Sequence, residues 1–151
     1  MIEEEVLSSK DDLLKLDRQL CFALYSGARG IIRMYRPILE KLDITYPQYL
    51  VLLVLWEYGQ MNVRDMGEKL FLDSGTLTPL LKRMERQGIV LRERSIKDER
   101  TVLISLTDKG RMLKEEALSI PLQLPNNLDI DRKEYETLMV ALKRLIAKMN
   151  L

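Results

Sequence analysis

The chain lacks histidine altogether, and its single cysteine is Cys21. Histidine and cysteine are the commonest ligands of zinc, so a zinc site is nearly excluded, and a serine-histidine-aspartate hydrolase is excluded with it. One cysteine cannot close a disulfide within the chain. The sequence therefore predicts neither a bound metal nor another cofactor.

Proline, glycine and long apolar runs are also scarce. Five prolines and seven glycines among 151 residues leave most of the chain free to form helix. No apolar run reaches the length of a membrane span, and no basic segment leads into an apolar one, so we expect no membrane segment and a cytoplasmic location. With 46% hydrophobic and 31% charged residues, the composition is that of a folded domain.

The net charge of +1 hides an uneven distribution of charged residues. Residues 74–106 hold seven Lys or Arg against four Asp or Glu, a local surplus of three positive charges. Cations attract the phosphates of nucleic acids, and a surplus confined to one segment suits a short contact better than a long wrap.

The first predicted helix contains the cysteine. Ser9–Asp12 has the form of a helix start with an acidic first turn, and apolar residues then recur at helical spacing to about Tyr35. Pro37 is expected to kink or end this helix. Cys21 lies inside it, so Arg18 would stand one helical turn before the sulfur.

A second helix is predicted from a cap followed by a long apolar run. Thr45–Gln48 has the form of a capping box, with proline in the first turn, where it costs little. The run Tyr49–Tyr58 fits a buried strand when taken alone. The cap, the length of the run and Gly59 as a stop favour a buried helix.

A helix-turn-helix is predicted next. Asn62 would cap a short helix, Phe71–Asp73 is a tight link, and Gly67 would allow the two helices to approach closely. The second helix, within 74–88, has small residues at the start of its outer face and cations further along, which suits a DNA major groove. The inner face of this second helix carries an apolar stripe of Leu77, Leu80, Leu81 and Met84. The alternative interpretation of the same segment is an ordinary half-buried surface helix.

The periodicity changes from helical to alternating after this helix. Ile89–Ser95 and Thr101–Leu106 are predicted as two paired strands, joined by the charged tip Ile96–Arg100. A hairpin with a cationic tip directly after a helix-turn-helix is typical of the winged form, in which arginines of the tip enter the minor groove. This succession indicates DNA binding more specifically than either part alone.

The last third is predicted to be helical. One helix should run over Thr107–Ser119, Leu124–Asn127 should form a break, and a capping box at Asp131–Glu134 should start the last helix. That helix carries an apolar stripe, which could pack within one monomer or against a second subunit. A two-fold symmetric DNA reader requires a dimer, which favours the second arrangement.

The predicted fold is mainly α with a small β-hairpin wing. It is a winged helix-turn-helix flanked by N- and C-terminal dimerisation helices. We expect a helical dimerisation and sensor region at 1–45, a DNA-binding region at 46–106 and a second helical dimerisation region at 107–151, all within one compact chain.

Four segments resemble a known family. Asp73–Glu85 (DSGTLTPLLKRME) and Arg94–Arg100 (RSIKDER) look like the recognition helix and wing of the MarR family of bacterial transcription regulators. Leu20–Tyr25 (LCFALY) and Leu42–Leu50 (LDITYPQYL) resemble its organic hydroperoxide resistance branch. The resemblance spans roughly residues 17–121, and the two ends of the chain are similar only in kind.

This resemblance implies roles for individual residues. Cys21 matches the peroxide-sensing cysteine of the branch, and Tyr35 and Tyr46 match tyrosines that bind its sulfur from the neighbouring subunit. Asp98 and Arg100 match the Asp-x-Arg of the wing, whose arginine reaches the minor groove. Two-cysteine members close a disulfide between subunits, whereas this chain resembles the one-cysteine type, in which a small thiol caps the oxidised sulfur or over-oxidation follows.

The resulting hypothesis is a homodimeric repressor. It would bind a pseudo-palindromic operator in double-stranded DNA and release it when an organic hydroperoxide oxidises Cys21. Threonines would contact base edges or phosphates, and cations would contact phosphates. The candidate DNA-binding residues are Asp73, Ser74, Thr76, Thr78, Lys82, Arg83, Arg94, Asp98 and Arg100.

Two other functions compete with this hypothesis. A repressor of the same fold could be released by a small aromatic ligand, with Cys21 serving only as a small buried hydrophobic residue. An enzyme, a thiol peroxidase using Cys21, is disfavoured because the chain has no resolving cysteine and such an enzyme has no use for a wing.

Overall fold

The computed structural model describes residues 10–149. Within this range, two short 3-10 turns, at Lys10–Leu14 and Leu16–Arg18, precede seven α-helices and three short strands. The fold class predicted from the sequence is confirmed. The elements are α1 (Leu20–Glu40), α2 (Tyr46–Tyr58), β1 (Met61–Asn62), α3 (Val63–Leu70), α4 (Ser74–Arg86), β2 (Val90–Arg94), β3 (Val102–Leu106), α5 (Asp108–Ala117), α6 (Ile120–Leu128) and α7 (Arg132–Lys148).

The start of the first helix differs from the prediction. Ser9 lies outside the described residues, and the chain beyond it forms the 3-10 turns rather than a continuous helix. Gln19 then adopts an extended conformation, with φ −87° and ψ 111°, and α1 begins at Leu20. The Gln19 amide donates to the backbone carbonyls of Leu13 and Lys15 at 2.7 and 3.0 Å, which holds this break in place.

The end of the first helix also differs from the prediction. α1 continues through Pro37 to Glu40, and Leu39 is buried in the core. A proline inside a helix removes the one hydrogen bond that its N–H would make to the carbonyl four residues earlier, here that of Arg33. Burial of Leu39 and partial burial of Ile38 favour the last turn despite this single loss.

The core lies around α2, the second predicted helix. Its first turn starts with a hydrogen bond from the Thr45 N–H to the Gln48 side chain, and the helix ends at Gly59, whose φ of +74° favours glycine. Val51 and Leu52 on this helix are fully buried. The helix and its cap are therefore confirmed, and the strand alternative is wrong.

The helix-turn-helix consists of α3 and α4. The Asn62 side chain accepts a hydrogen bond from the Asp65 N–H at 2.8 Å and so caps α3. A Cβ at Gly67 would lie 2.5 Å from the carbonyl oxygen of Leu72, so only glycine allows the backbone of the turn to approach α3 this closely. α4 begins directly at Ser74, and Pro79 therefore stands inside the helix, beyond its first turn.

The wing belongs to a three-stranded antiparallel sheet in the order β1, β3, β2. The hairpin of β2 and β3 is confirmed, with Arg94 opposite Val102 next to the tip. The sequence did not predict β1, whose Met61 pairs with Ile104. This pairing joins the wing to the segment between α2 and α3, so the hairpin is anchored on both sides of β3.

The C-terminal helices are interrupted at other residues than the sequence predicted. The predicted break at Leu124–Asn127 is wrong because α6 runs through Pro125, and the chain turns instead at Asp129, where φ is +51°. The predicted capping box is confirmed, since the Asp131 carboxylate accepts from the Glu134 N–H at 2.8 Å and starts α7. None of the described helices is long and apolar enough to cross a membrane.

Candidate DNA interface and redox site

The N-terminus of α4 is organised by Asp73. Its carboxylate accepts hydrogen bonds from the Thr76 N–H at 2.8 Å and from the Thr76 hydroxyl at 3.1 Å. These bonds, first the one from the backbone, lower the pKa of Asp73. Two predicted DNA contacts are thus joined in a helix cap, beside which Ser74 is exposed to solvent.

The outer side of α4 carries the remaining predicted contacts. Ser74, Thr78 and Lys82 follow one another at intervals of four residues and therefore lie along one line of the helix. Lys82 and Arg83 are exposed and Thr78 is half-buried, whereas the opposite side of α4 is buried in the core. A helix anchored on one side and polar on the other can enter a major groove.

The wing tip is held by Asp98. Its carboxylate accepts from the Arg100 N–H at 3.0 Å and from the Thr101 hydroxyl at 3.0 Å. The Ser95 N–H also donates to the carbonyl of Thr101 at 2.8 Å, which closes the hairpin. Asp98 therefore shapes the turn, while the guanidinium groups of Arg94 and Arg100 lie on its exposed surface.

An open groove separates the wing from the helix-turn-helix, and Ser74, Thr78, Arg92 and Arg100 are among its lining residues. Sequence reasoning missed Arg92, whose side chain is only 19% exposed and pairs with Glu85 of α4 at 3.3 Å. Its Nε is buried and has no hydrogen-bond partner among the described residues. The alternation of β2, which puts Arg92 on the same face as buried Val90, could have revealed it.

Cys21 is the second residue of α1 and is exposed in the single protomer. The extended Gln19 separates Cys21 from the preceding 3-10 turn. The prediction that Arg18 stands one helical turn before the sulfur is therefore wrong. Its apolar neighbours are also open, since Leu20 is 66% and Phe22 39% exposed. The first turn of α1 is thus an uncovered apolar surface around a thiol.

Tyr35 and Tyr46 lie together, with their ring centroids 4.9 Å apart. Tyr49 extends the cluster, at 6.0 Å from Tyr35 and 6.3 Å from Tyr46. Burial, together with the neighbouring tyrosines including Tyr135 of α7, raises the pKa of Tyr35 to about 12. Burial also raises the pKa of Tyr46 and Tyr49, so all three phenols stay protonated and can donate hydrogen bonds at neutral pH.

Cys21 lies at the start of α1, whereas Tyr35 lies in the C-terminal half of the same helix and Tyr46 begins α2. Cys21 and Tyr35 are fourteen positions apart on this helix, which at 1.5 Å per residue corresponds to roughly 21 Å. One protomer therefore brings Tyr35 and Tyr46 together and keeps Cys21 away from both. Among residues 10–149 no cluster of three or more His, Cys, Asp or Glu side chains could hold a metal ion.

Comparisons with known proteins agree with this architecture. Residues 33–117 match the family of SarA/Rot transcriptional regulators. The organic hydroperoxide resistance transcriptional regulator of Bacillus subtilis is 50% identical over 147 residues, which cover 95% of this chain and all of that protein.

Solved structures show the same fold. Reduced AbfR bound to DNA is 34% identical, with a TM-score of 0.77 over 95% of this chain and 100% of the other. A MarR mutant from E. coli complexed with operator DNA is 26% identical, with a TM-score of 0.77 over 83% and 92%. AbfR has also been solved in an overoxidized form bound to DNA and in a disulfide form.

The half-identical relative is matched over its whole length, and the fold matches regulators that were solved on DNA. The protein therefore belongs to the MarR family of winged-helix transcription regulators, in its organic hydroperoxide resistance branch, and is not an enzyme.

Proposed function

We propose that the protein is a homodimeric repressor that releases its operator when an organic hydroperoxide oxidises Cys21. The observation that carries the proposal is the separation of the thiol from the protonated tyrosine pair along α1. Two copies with antiparallel α1 helices would bring Cys21 of each copy to Tyr35 and Tyr46 of the other. The name of the B. subtilis relative supports the same class of oxidant.

The exposed apolar residues of the protomer support the dimer. Leu20 near the thiol is 66% exposed, and Leu138 on α7 is 53% exposed. Apolar surface left open on both terminal helices is typical of a protein that buries it against a second copy. The same burial would enclose Cys21 in an apolar site that suits an organic hydroperoxide better than hydrogen peroxide.

The redox step follows from the chemistry of a thiolate. Its sulfur attacks the terminal hydroxyl oxygen of the hydroperoxide, the O–O bond breaks, and the departing alkoxide takes a proton from water to become an alcohol. Cys21 is then a sulfenic acid. The chain has one cysteine, so the sulfenic acid condenses with a small thiol, releasing water and forming a mixed disulfide, or is oxidised further. The tyrosine hydroxyls donate to the thiolate, and these bonds are lost with it.

The DNA side of the proposal uses α4 and the wing. α4 would enter the major groove through the line that starts at Ser74, with Thr76 and Thr78 near base edges or phosphates and Lys82 near phosphates. Arg94 and Arg100 would reach the adjacent minor groove. Two such units related by a two-fold axis read half-sites about 34 Å apart, so the operator is expected to be pseudo-palindromic.

A band-shift assay with a Cys21→Ser variant tests the proposal. Wild-type protein should release the operator after treatment with an organic hydroperoxide and a small thiol, with a matching increase in the mass of the Cys21 peptide. Cys21→Ser should bind the operator about as tightly and stay bound after the same treatment. Release of the variant would contradict sensing by Cys21 and would favour a non-covalent small-molecule effector.

A further inference from the structure

A buried amide joins the first turn of α2 to the end of α4. The Gln48 side chain is 1% exposed, and its Oε1 accepts from the Thr45 N–H at 2.9 Å. Its Nε2 donates to Oε1 of Gln87 at 2.6 Å. Gln87 is the residue that follows the last turn of α4. One side chain therefore both caps α2 and bonds to the recognition helix.

Gln87 extends this connection in two directions. Its own Nε2 donates to the carbonyl of Asp43 at 3.2 Å, in the segment between α1 and α2. The Lys109 ammonium group donates to the backbone carbonyl of Gln87 at 2.9 Å and ties the same point to α5. The end of α4 is thus attached to the first turn of α2, which contains Tyr46, to the link before that turn and, independently, to α5.

Gln48 and Tyr46 stand on opposite sides of one helical turn. Residues two apart on an α-helix differ by about 200° around the axis. Tyr46 faces Tyr35 at 4.9 Å, and Gln48 faces Gln87. A buried amide that loses its partner pays its full desolvation cost. If the first turn of α2 shifts, it therefore either moves α4 with it or breaks the Gln48–Gln87 hydrogen bond, which leaves a buried amide unpaired.

We propose that Gln48 and Gln87 are positioning residues that transmit a change at the tyrosine pair to the recognition helix. The inference rests on the proposed function, because the change at Tyr46 is the loss of its bond to the partner's sulfur on oxidation. The shift of α2 then moves the C-terminal end of α4 through the Gln48–Gln87 bond. The two recognition helices leave their half-sites together.

The variant Gln87→Met tests this link, since methionine has a similar length and neither donates nor accepts as an amide does. The measurement is the ratio of operator Kd between hydroperoxide-treated and reduced protein. Gln87→Met removes the bonds to Gln48 and to the Asp43 carbonyl. We expect the ratio to fall about fivefold to tenfold below that of wild type, the range that loss of the Gln48 bond supports. Gln87→Glu keeps an acceptor for the Gln48 amide but loses the donor to the Asp43 carbonyl. A ratio well above that of Gln87→Met assigns the effect to the Gln48–Gln87 bond, and a ratio as low as that of Gln87→Met overturns this assignment.

Gln60→Met is the matched control, because Gln60 is an exposed glutamine just beyond the other end of α2. It should leave the ratio unchanged. An unchanged ratio in Gln87→Met overturns the link and leaves the proposed function standing. A wild-type protein that stays on the operator after treatment overturns the proposed function, and the link with it.

A second measurement decides the matter if reduced Gln87→Met no longer binds the operator. Amide hydrogen exchange of the free protein reports on the last turn of α4 directly. Hydroperoxide treatment should raise exchange there in wild type and should raise it less in the variant. An equal rise in both proteins would overturn the link.

Discussion

At the scale of single residues, burial decides which groups can donate to a sulfur anion. Tyr35, Tyr46 and Tyr49 share a partly apolar environment between α1 and α2, and burial raises the pKa of each. A phenol that resists ionisation remains a hydrogen-bond donor, which is what a thiolate needs from its neighbours. The same burial makes each ring part of the folded structure, so sensing and stability share these side chains.

This coupling predicts how stability depends on alkaline pH. The pKa of Tyr35 is about 12 in the folded protein, against an ordinary tyrosine value of 10.0. An acid whose folded pKa is raised stabilises the folded state below its unfolded pKa, and that contribution is lost as the pH rises from 10.0 to about 12. We expect Tyr35→Phe to reduce the loss of unfolding free energy across this window, as measured by urea denaturation at a series of pH values.

Tyr25→Phe provides the control for this titration. Tyr25 lies on the same helix but is 59% exposed. Its replacement removes a phenol of the same kind from outside the cluster and so tests whether loss of any tyrosine from α1 changes the curve. If Tyr35→Phe followed the wild-type curve as well, burial of Tyr35 would not be the source of the shift.

At the scale of elements, the sequence predicts those helices and strands whose stabilising signals lie within the element itself. The helix α2 and the wing hairpin follow from a cap, a periodicity and a stop that all lie within a few residues. The strand β1 could not be predicted, because Met61 and Asn62 form a strand only through pairing with β3, forty residues away. Helix α6 was missed for a related reason, since Pro125 removes only one hydrogen bond and packing retains the helix.

The candidate site divides in the same way. The polar face of α4 was predicted from helical spacing, because one element contains it. The proximity of Tyr35 and Tyr46 was implied only by the family resemblance, since periodicity does not relate two helices. The Gln48–Gln87 bond joins residues thirty-nine positions apart and had no signal in the sequence. Contacts between elements require the tertiary structure.

The wing allows the contribution of one positive charge to operator binding to be measured. Arg100→Ala should weaken operator binding and reduce the slope of log affinity against log salt by about one, because one cation leaves the DNA. Arg132→Ala, which removes an exposed cation from α7, should leave both quantities unchanged. Titrations at several salt concentrations give both values, and an unaltered slope in Arg100→Ala would count against the wing assignment.

Asp98→Ala completes this test within the same element. It removes a negative charge, which on electrostatic grounds alone would strengthen DNA binding. It also removes the two bonds to the Arg100 N–H and the Thr101 hydroxyl that hold the turn. We expect the second effect to win, with affinity about threefold to tenfold lower. A rise in affinity would mean that the carboxylate acts on DNA only through its charge.

At the scale of the whole molecule, the terminal helices leave apolar surface that one protomer does not cover. Leu138 and Leu142 lie one turn apart on α7 and are 53% and 39% exposed. Val140 stands between them in sequence, about 200° away around the helix, and is 68% exposed. If a second copy covers the stripe that contains Leu138 and Leu142, these leucines stabilise the dimer and Val140 contributes less.

The double variant Leu138→Lys/Leu142→Lys should therefore be monomeric at concentrations where wild type is dimeric. Burying a whole leucine side chain contributes about 1.5–3 kcal/mol. A dimer holds two copies of each leucine, and each copy is about half exposed in the protomer, so the double variant weakens dimerisation by about a hundredfold or more. Sedimentation velocity measures the assembly, and circular dichroism checks that the helices remain. Val140→Lys adds the same charge on the other side of α7 and should stay dimeric. Because an isolated protomer reads one half-site, the double variant should also lose its preference for the full operator over a half-site. A double variant that remained dimeric would mean that the dimer interface lies elsewhere.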